Sequence, residues 1–169
     1  MQEGAQMTFN ELITAMGKLL GLEDFTPDED GFCTLESKDG VIDIAYVPEV
    51  QHGVVLLHAV VKTAEEEMSG AVIRHALEIN CGLRRTRQAT LSVNPETGSI
   101  ELARFFSLEL LDPEVFLMLI ENFAATLVEV RELLKEDEEE FTGLLEEGKG
   151  DANSVSPSDE LDHQGFLRV

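Results

Sequence analysis

The sequence is poor in cysteine, aromatic residues and positive charge, and these shortages exclude several classes of protein. Its 169 residues include no Trp, one Tyr and two cysteines, Cys33 and Cys81. Two cysteines so far apart provide no disulfide framework, so we expect two free, buried thiols in a reducing compartment. The 12 basic residues are outnumbered by 34 acidic ones, which gives a formal net charge of −22. Such a charge argues against binding to nucleic acid or to anionic membrane surfaces.

Long apolar runs are also missing. No stretch approaches the roughly 18 apolar residues that would indicate a transmembrane helix. The N-terminus has no basic region followed by an apolar run, so no signal peptide is expected. We therefore expect a cytoplasmic protein without membrane insertion. Its 43% apolar content is sufficient for one core.

Motifs that indicate catalysis or metal binding are absent as well. The sequence has neither a Walker loop nor a G-x-G-x-x-G motif, and its histidines lack metal-ligand spacing. An acidic stretch at residues 28–31 fails as a calcium loop because the twelfth position would be Ser37 instead of an acid. Neither cysteine has the local signature of a Cys–His catalytic pair. We expect no enzyme activity, cofactor or metal.

Helix and strand patterns fill the first 61 residues. A first helix is predicted from apolar residues at helical spacing, with Thr8 and Glu11 as a capping box and Gly21 as the stop; the apolar residues are Phe9, Leu12, Ile13, Met16, Leu19 and Leu20. Strands are predicted at 32–37, 41–47 and 54–61, the first two joined by a turn at Asp39-Gly40. The third is apolar on both faces, which predicts cover on both sides.

A second helix is predicted from about Ala64 to Asn80, with Glu65 to Glu67 in its first turn. Its apolar surface is too wide for one packing face, so a second subunit could cover the other side. The basic cluster that follows, Arg84, Arg85 and Arg87, has two interpretations. It is either a solvated loop with local salt bridges or a contact for an acidic partner.

The last third is predicted to hold a hairpin, a long helix and a tail. Strands at 89–94 and 99–107 flank a turn that contains Pro95 and Gly98. The last helix starts at Asp112-Pro113-Glu114 and carries an apolar stripe from Phe116 to Leu134. From Glu136 onward, eleven acids against Lys149 and Arg168 give −9 (2 minus 11), which predicts a disordered acidic tail. Within it, residues 141–145 could prolong the helix or form a docking segment, and Phe166-Leu167 could also dock.

Taken together, the chain resembles the CesT/Tir-type (class I) chaperones of bacterial type III secretion over residues 7–135. The resemblance rests on the first helix ending in Leu20-Gly21-Leu22, the strand entry at 30–35, the apolar second helix and the start of the last helix at Leu111. It implies an α+β fold in which three helices accompany a twisted antiparallel sheet of about five strands, in the order α-β-β-β-α-β-β-α, assembled as a homodimer. The expected domains are a chaperone-like domain at 1–135 and the tail at 136–169.

The resemblance also implies a non-enzymatic function. Members of this family keep the N-terminal segment of a secreted effector soluble and secretion-competent, and the secretion ATPase is a further candidate partner. The implied dimer interface comprises Met68, Val72, Ile73, Ala76, Leu77 and Ile79. Pockets for an extended peptide are expected around the first helix and neighbouring strands, at Leu12, Met16, Leu19, Phe32, Leu35, Ile44, Leu102 and Phe105.

Two alternatives stay open. One is an adaptor or regulator of the same fold that binds a folded partner and carries no effector. The other is an acidic mimic of nucleic acid, which would need carboxylates spaced like phosphates on one ordered face. The acids of this sequence are scattered over loops and gathered in the tail, which weakens the second alternative.

Overall fold

The structure is a computed structural model that describes residues 7–48, 53–64 and 69–147. Within those residues the chain forms the predicted α+β arrangement of three helices and five strands. The elements are α1 Phe9–Leu19, β1 Phe32–Ser37, β2 Gly40–Val47, β3 Val54–Lys62, α2 Gly70–Asn80, β4 Thr90–Val93, β5 Ile100–Ser107 and α3 Pro113–Glu147.

The five strands form one sheet in the order β1-β2-β3-β5-β4, with every neighbouring pair antiparallel. In the described part of the chain, β1 and β4 are the edge strands. A bulge interrupts the register between β3 and β5 at Val60 and Lys62. Each predicted strand agrees with an observed strand to within a residue or two.

The helices cover only one face of this sheet. Along β3, Val55, Leu57 and Ala59 are buried, whereas Leu56 and Val60 on the opposite face remain partly accessible. The prediction that β3 is covered on both sides is therefore wrong for the described residues. Its apolar residues on the second face form part of a surface, which we call the open face.

The core lies between the helices and the covered face. The apolar stripe predicted for α3 is buried there, at Phe116, Ile120, Phe123, Leu127, Val130 and Leu134. Burying a large apolar side chain of this kind contributes roughly 1.5–3 kcal/mol. Phe9 of α1 also stacks on Tyr46 of β2, with ring centroids 5.3 Å apart.

Both ends of α1 form as predicted. The Thr8 hydroxyl accepts a bond from the Glu11 N–H, and the Glu11 carboxylate accepts one from the Thr8 N–H at 2.8 Å. At the other end Gly21 has φ +75°, and Leu22 N–H donates to the Gly17 carbonyl at 2.8 Å, as in a Schellman motif. Leu19 lies in the last turn and is half exposed, so it departs from the buried face.

The other two helices differ from prediction at one end each. Helix α2 begins at Gly70 rather than near Ala64, because the Ser69 hydroxyl caps it by accepting from the Val72 N–H. Glu65 to Glu67, predicted for its first turn, and Met68, predicted for the dimer interface, lie outside the described residues.

Helix α3 starts as predicted, with Asp112 Oδ1 accepting from the Val115 N–H at 2.8 Å. It continues to Glu147, so the predicted domain boundary at residue 135 falls inside a helix. The helical backbone includes residues 141–145, which is one of the two alternatives for that segment. The rest of the predicted tail, residues 148–169, lies outside the described residues.

Candidate functional site

An apolar row crosses the open face of the sheet. The strand register places Phe32 of β1 opposite Ala45 of β2, Ala45 opposite Leu56 of β3, and Leu56 opposite Phe105 of β5. Directly opposed side chains in a sheet are in contact distance, so these four residues form a continuous strip. Phe105 is 61% exposed and Phe32 is 39% exposed. The strip therefore offers apolar surface to a partner.

A polar network occupies the adjacent row of the open face. His58 of β3 lies between two carboxylates, with Nδ1 3.5 Å from Asp43 Oδ2 and Nε2 3.0 Å from Glu101 Oε2. Asn94 Nδ2 and Ser99 Oγ also donate to Glu101, at 2.8 and 3.0 Å. Burial by itself raises the pKa of Glu101. The hydrogen bonds from Asn94 and Ser99 and the contact with His58 lower that pKa by a larger amount, so the pKa lies below its ordinary value. The network ties β2, β3 and β5 together beside the apolar strip.

The outer edge of β1 is open over part of its length. At its first residue, the Phe32 N–H donates to Asp28 Oδ1 and the Phe32 carbonyl accepts from the Asp28 N–H, both at 2.8 Å. These groups point away from β2. Because backbone groups alternate in direction along a strand, those of Thr34 and Glu36 point the same way. Within the described residues β1 pairs only with β2, so Thr34 and Glu36 present unpaired backbone groups.

Acidic residues surround this edge. Between residues 18 and 43 the sequence has eight acids against Lys18 and Lys38. Glu36 lies on β1 itself, and the Asp28 loop adjoins its start. The potential at the β1 edge is therefore negative and favours positively charged segments.

Helix α2 and strand β4 form a second apolar surface, the α2–β4 surface. Leu77 is 64% exposed, and Ile73 and Val93 are also exposed. A shallow cleft of about 30 Å³ lies there, lined by Ile73, Ala76, Leu77, Leu91, Ser92, Val93 and Ile100. This volume is far below that of an ordinary small-molecule site, so the cleft suits a single side chain. Apart from Ser92, the residues that line the cleft are apolar, and a surface of this kind fits a protein partner.

The loop at residues 81–89, which we call the basic loop, holds a strained conformation. Leu83, Arg87 and Gln88 have φ of 54°, 48° and 71°, each of which costs on the order of 1–3 kcal/mol in a residue other than glycine. Within the loop Thr86 is completely buried, and Arg87 forms a 2.9 Å ion pair with Glu129 of α3. Of the two interpretations of this cluster, local salt bridging is thus observed at Arg87.

The prediction of two buried cysteines is right for Cys33 and wrong for Cys81, which lies at the start of the basic loop. Cys33 is buried as predicted, and burial together with Asp28 and Asp43 raises the pKa of its thiol to about 12. Cys81 is free but exposed, because it caps the end of α2 and turns outward where the loop begins.

The predicted effector-binding residues divide into three groups. Leu12, Met16, Ile44 and Leu102 are completely buried in the core and have no surface to offer a partner. Leu35 is partly buried beneath the β1 edge. Leu19, Phe32 and Phe105 are exposed, the last two at opposite ends of the apolar strip.

The predicted interface residues also divide. Val72, Ala76 and Ile79 pack into the core of the same chain, whereas Ile73 and Leu77 face outward. Sequence reasoning did not select Leu56 or Val93. Leu56 belongs to the third strand, whose second apolar face was the available signal for an exposed strip.

Neither a metal-binding cluster nor a membrane-spanning helix is found in the described part of the chain. Residues 7–48, 53–64 and 69–147 contain no cluster of three or more His, Cys, Asp or Glu placed to hold a metal ion. No helix in those ranges is long and apolar enough to cross a bilayer.

Comparison with known families identifies the relatives of this fold. Residues 11–131 match the model of the Tir chaperone protein (CesT) family. The chain belongs to that family. The CesT-family chain is accordingly a non-enzymatic type III secretion chaperone that binds effectors. No curated protein sequence matches it significantly.

Solved structures share the fold of this CesT-family chain. A chain of the ExsC–ExsE complex matches with a TM-score of 0.58 and 20% identity, over 75% of this chain and 90% of that one. A chain of the HopA1–SchA chaperone–effector complex matches with a TM-score of 0.52 and 13% identity, over 74% and 91%. A chain of the ExoT–SpcS complex from Pseudomonas aeruginosa matches with 0.51 and 20%, over 69% and 91%.

Proposed function

We propose that this CesT-family chain is a homodimeric chaperone that binds an extended N-terminal segment of a secreted effector along the edge of β1. Family membership supports the chaperone function, and one of the similar solved structures is itself a chaperone–effector complex. The observation that carries the proposal is the β1 edge, where unpaired backbone groups adjoin exposed apolar side chains.

Strand addition is the binding mode that this edge favours. The backbone groups of Thr34 and Glu36 hydrogen-bond to an incoming strand, while the side chains of that strand alternate between the two faces of the sheet. Those on the open face meet Phe32 and the apolar strip. Those on the helix side meet Leu35, which is partly buried beneath the edge. Leu19, exposed at the end of α1, provides a further apolar contact.

Charge defines the kind of segment that binds. The β1 edge is acidic, and the whole chain carries −22. In a segment that alternates apolar residues with Lys or Arg, the apolar side chains can pack on the apolar strip and the basic side chains are attracted by the negative potential. Electrostatic attraction also raises the association rate, by a factor that falls with ionic strength.

Dimerisation uses the α2–β4 surface in this proposal. Leu77, Ile73 and Val93 present apolar side chains that the described part of a single chain leaves exposed. A two-fold axis through this surface brings the same residues of two copies together, as in isologous dimers. Strand β4 lies at the opposite edge of the sheet from β1, so a dimer formed through the α2–β4 surface leaves the β1 edge of each copy free.

Isolation of the complex from the native bacterium tests the proposal. Affinity capture followed by light scattering is expected to give a dimer that holds the N-terminal region of one secreted protein, with about two chaperone chains per effector. Capture of folded cytosolic proteins alone, or of the secretion ATPase without an effector, would favour the adaptor function.

A paired set of variants assigns the binding surface. The double variant Phe32→Ser, Phe105→Ser removes both ends of the apolar strip and is expected to lower effector affinity at least tenfold. Met118→Ser removes from α3, on the helix side of the sheet, an apolar side chain whose exposure lies between those of Phe32 and Phe105, and is the control. Equal affinities of the two variants would contradict the assignment.

A further inference from the structure

The basic loop presents two arginines that the rest of the described chain does not use. Arg84 and Arg85 are exposed, and neither side chain makes a hydrogen bond or ion pair within the described residues. In contrast, Arg87 in the same loop is bonded to both Thr126 and Glu129 of α3. One arginine thus anchors the loop while two point outward.

Several contacts stabilise the backbone conformation of the basic loop. Buried Thr86 and the Arg87–Glu129 ion pair fix it from within, and Arg104 Nη2 donates to Gln88 Oε1 at 3.2 Å. Three residues in left-handed conformations persist only because such contacts determine them. The backbone that carries Arg84 and Arg85 is consequently held in place, and both side chains are exposed in a chain of net charge −22.

We propose that the basic loop binds the acidic segment at residues 159–162 of this same chain. The acids of that segment are Asp159, Glu160 and Asp162. Each can accept hydrogen bonds from a guanidinium, and arginine binds carboxylates in a two-pronged geometry.

The chain length allows the contact. The basic loop is joined to α3 at Glu129, and α3 ends at Glu147. At 1.5 Å per residue those 18 residues (147 minus 129) span about 27 Å. Residues 148–158, eleven in number, can extend to about 36 Å, so residue 159 reaches back to the loop.

Net charge favours a tethered occupant over a separate acidic protein. An acidic protein approaching from solution is repelled by the field of a chain with net charge −22. A segment of the same chain is already close, at an effective concentration in the millimolar range. An acidic segment of the same chain is therefore a more favourable ligand for the basic loop than a separate acidic protein.

Cys81 provides the test, since it is exposed and lies three residues before Arg84. A nitroxide is attached to Cys81 in the full-length protein without effector, and the amide signals of residues 159–162 are measured by NMR. We expect strong paramagnetic broadening of those signals at low salt and its loss at 1 M NaCl, where the Debye length is about 3 Å. Unbroadened signals at low salt would overturn the proposal.

Charge-reversal variants and mixed samples complete the design. The pair Arg84→Glu, Arg85→Glu should abolish the broadening, whereas the pair Lys18→Glu, Lys38→Glu changes net charge equally and should preserve it. Broadening that survives the arginine pair would overturn the proposal. Broadening between a nitroxide-carrying copy and a separate isotope-labelled copy would assign the contact to two chains and would overturn it too. Effector binding enters none of these measurements, so the result is independent of the proposed function.

Discussion

Arg131 of α3 donates a hydrogen bond of 2.6 Å from Nη1 to the backbone carbonyl of Asp39, in the turn between β1 and β2. The same guanidinium donates to the carbonyls of Val60, at 2.7 Å, and Val61, at 3.3 Å, beside the bulge at the end of β3. One side chain thus fastens the long helix to two strand ends. The neighbouring Gly40 has φ +136°, and a Cβ there would lie 3.0 Å from Arg131 Nη1.

These three hydrogen bonds of Arg131 predict a large loss of stability for Arg131→Met, which keeps the aliphatic part of the side chain and removes the guanidinium donors. Hydrogen bonds from a charged group contribute about 1.5–3 kcal/mol each. In the variant, water can hydrogen-bond to the Asp39 carbonyl in the turn and so offsets part of the lost stability. We expect the free energy of unfolding to fall by about 2–4 kcal/mol, measured by urea denaturation at a fixed protein concentration.

Lys135→Met is the control for this experiment, because Lys135 is exposed on the same helix and pairs only with Glu132 among the described residues. Its effect should stay within about 0.5 kcal/mol. Equal losses for the two variants would show that the three backbone contacts of Arg131 do not stabilise the fold.

The polar network around Glu101 predicts a specific pH dependence. The folded-state pKa of Glu101 lies below its ordinary value of 4.5, so its contribution to stability is present above that pH and is lost as the pH falls through the folded-state pKa. We expect Glu101→Gln to be less stable than the parent at pH 7 and the difference to shrink below about pH 4.5. Urea denaturation at several pH values measures it. Glu96→Gln, in the exposed turn, is the control and should change the free energy of unfolding by no more than about 0.5 kcal/mol.

The α2–β4 surface predicts that a charge at its centre prevents association. Leu77→Glu places a carboxylate on the most exposed apolar residue of α2 and, in a two-fold interface, beside its own copy. We expect a monomer by sedimentation equilibrium at concentrations where the parent is a dimer. Val128→Glu alters an exposed apolar residue of α3 and should leave the dimer intact. A dimeric Leu77→Glu protein would exclude this surface as the interface.

The β1 edge predicts that a proline at Thr34 blocks effector binding while the sheet persists. The Thr34 N–H points away from β2, so proline removes a donor that the sheet itself does not use. Thr34→Val loses the hydroxyl bond to Asp43 Oδ1 but keeps the N–H. We expect weakened effector binding for Thr34→Pro only, by calorimetry, with circular dichroism confirming both folds. Equal weakening in the two variants would point to the side chain instead of the edge.

The two thiols should react at very different rates. With a pKa of about 12, Cys33 is thiolate in only about one molecule in ten thousand at pH 8, and it is buried. Exposed Cys81 should react rapidly with Ellman's reagent in the folded protein, and Cys33 only after unfolding. Two rapidly reacting thiols in the folded protein would contradict the burial of Cys33.

Local signals in the sequence predicted most of the fold. The capping box at Thr8 and Glu11, the cap at Asp112 and the glycine stop at Gly21 each involve residues close in sequence, and each is observed. The predicted start of α2 near Ala64 was wrong because three glutamates are typical of a first helical turn, whereas the side chain of Ser69 caps the helix, which begins at Gly70.

The candidate site was harder to predict, for a physical reason. Alternation along a strand separates its residues into two faces but does not say which face the helices cover. Ile44 and Phe32 were both chosen as pocket residues; the helices bury the first and leave the second open. Leu56 was not chosen, since its exposure depends on the absence of helices from one side of β3.

In the proposed binding mode, the pairing of Asp28 with Phe32 limits the number of backbone hydrogen bonds that a bound segment can form. Asp28 already satisfies the outward N–H and carbonyl of Phe32, so an added strand finds free backbone partners only at Thr34 and Glu36. A ladder this short fixes the direction and register of the bound segment but contributes few hydrogen bonds to its retention. If the effector binds as proposed, its residence time would depend mainly on apolar side-chain contacts, and its release would not require the sheet to unfold.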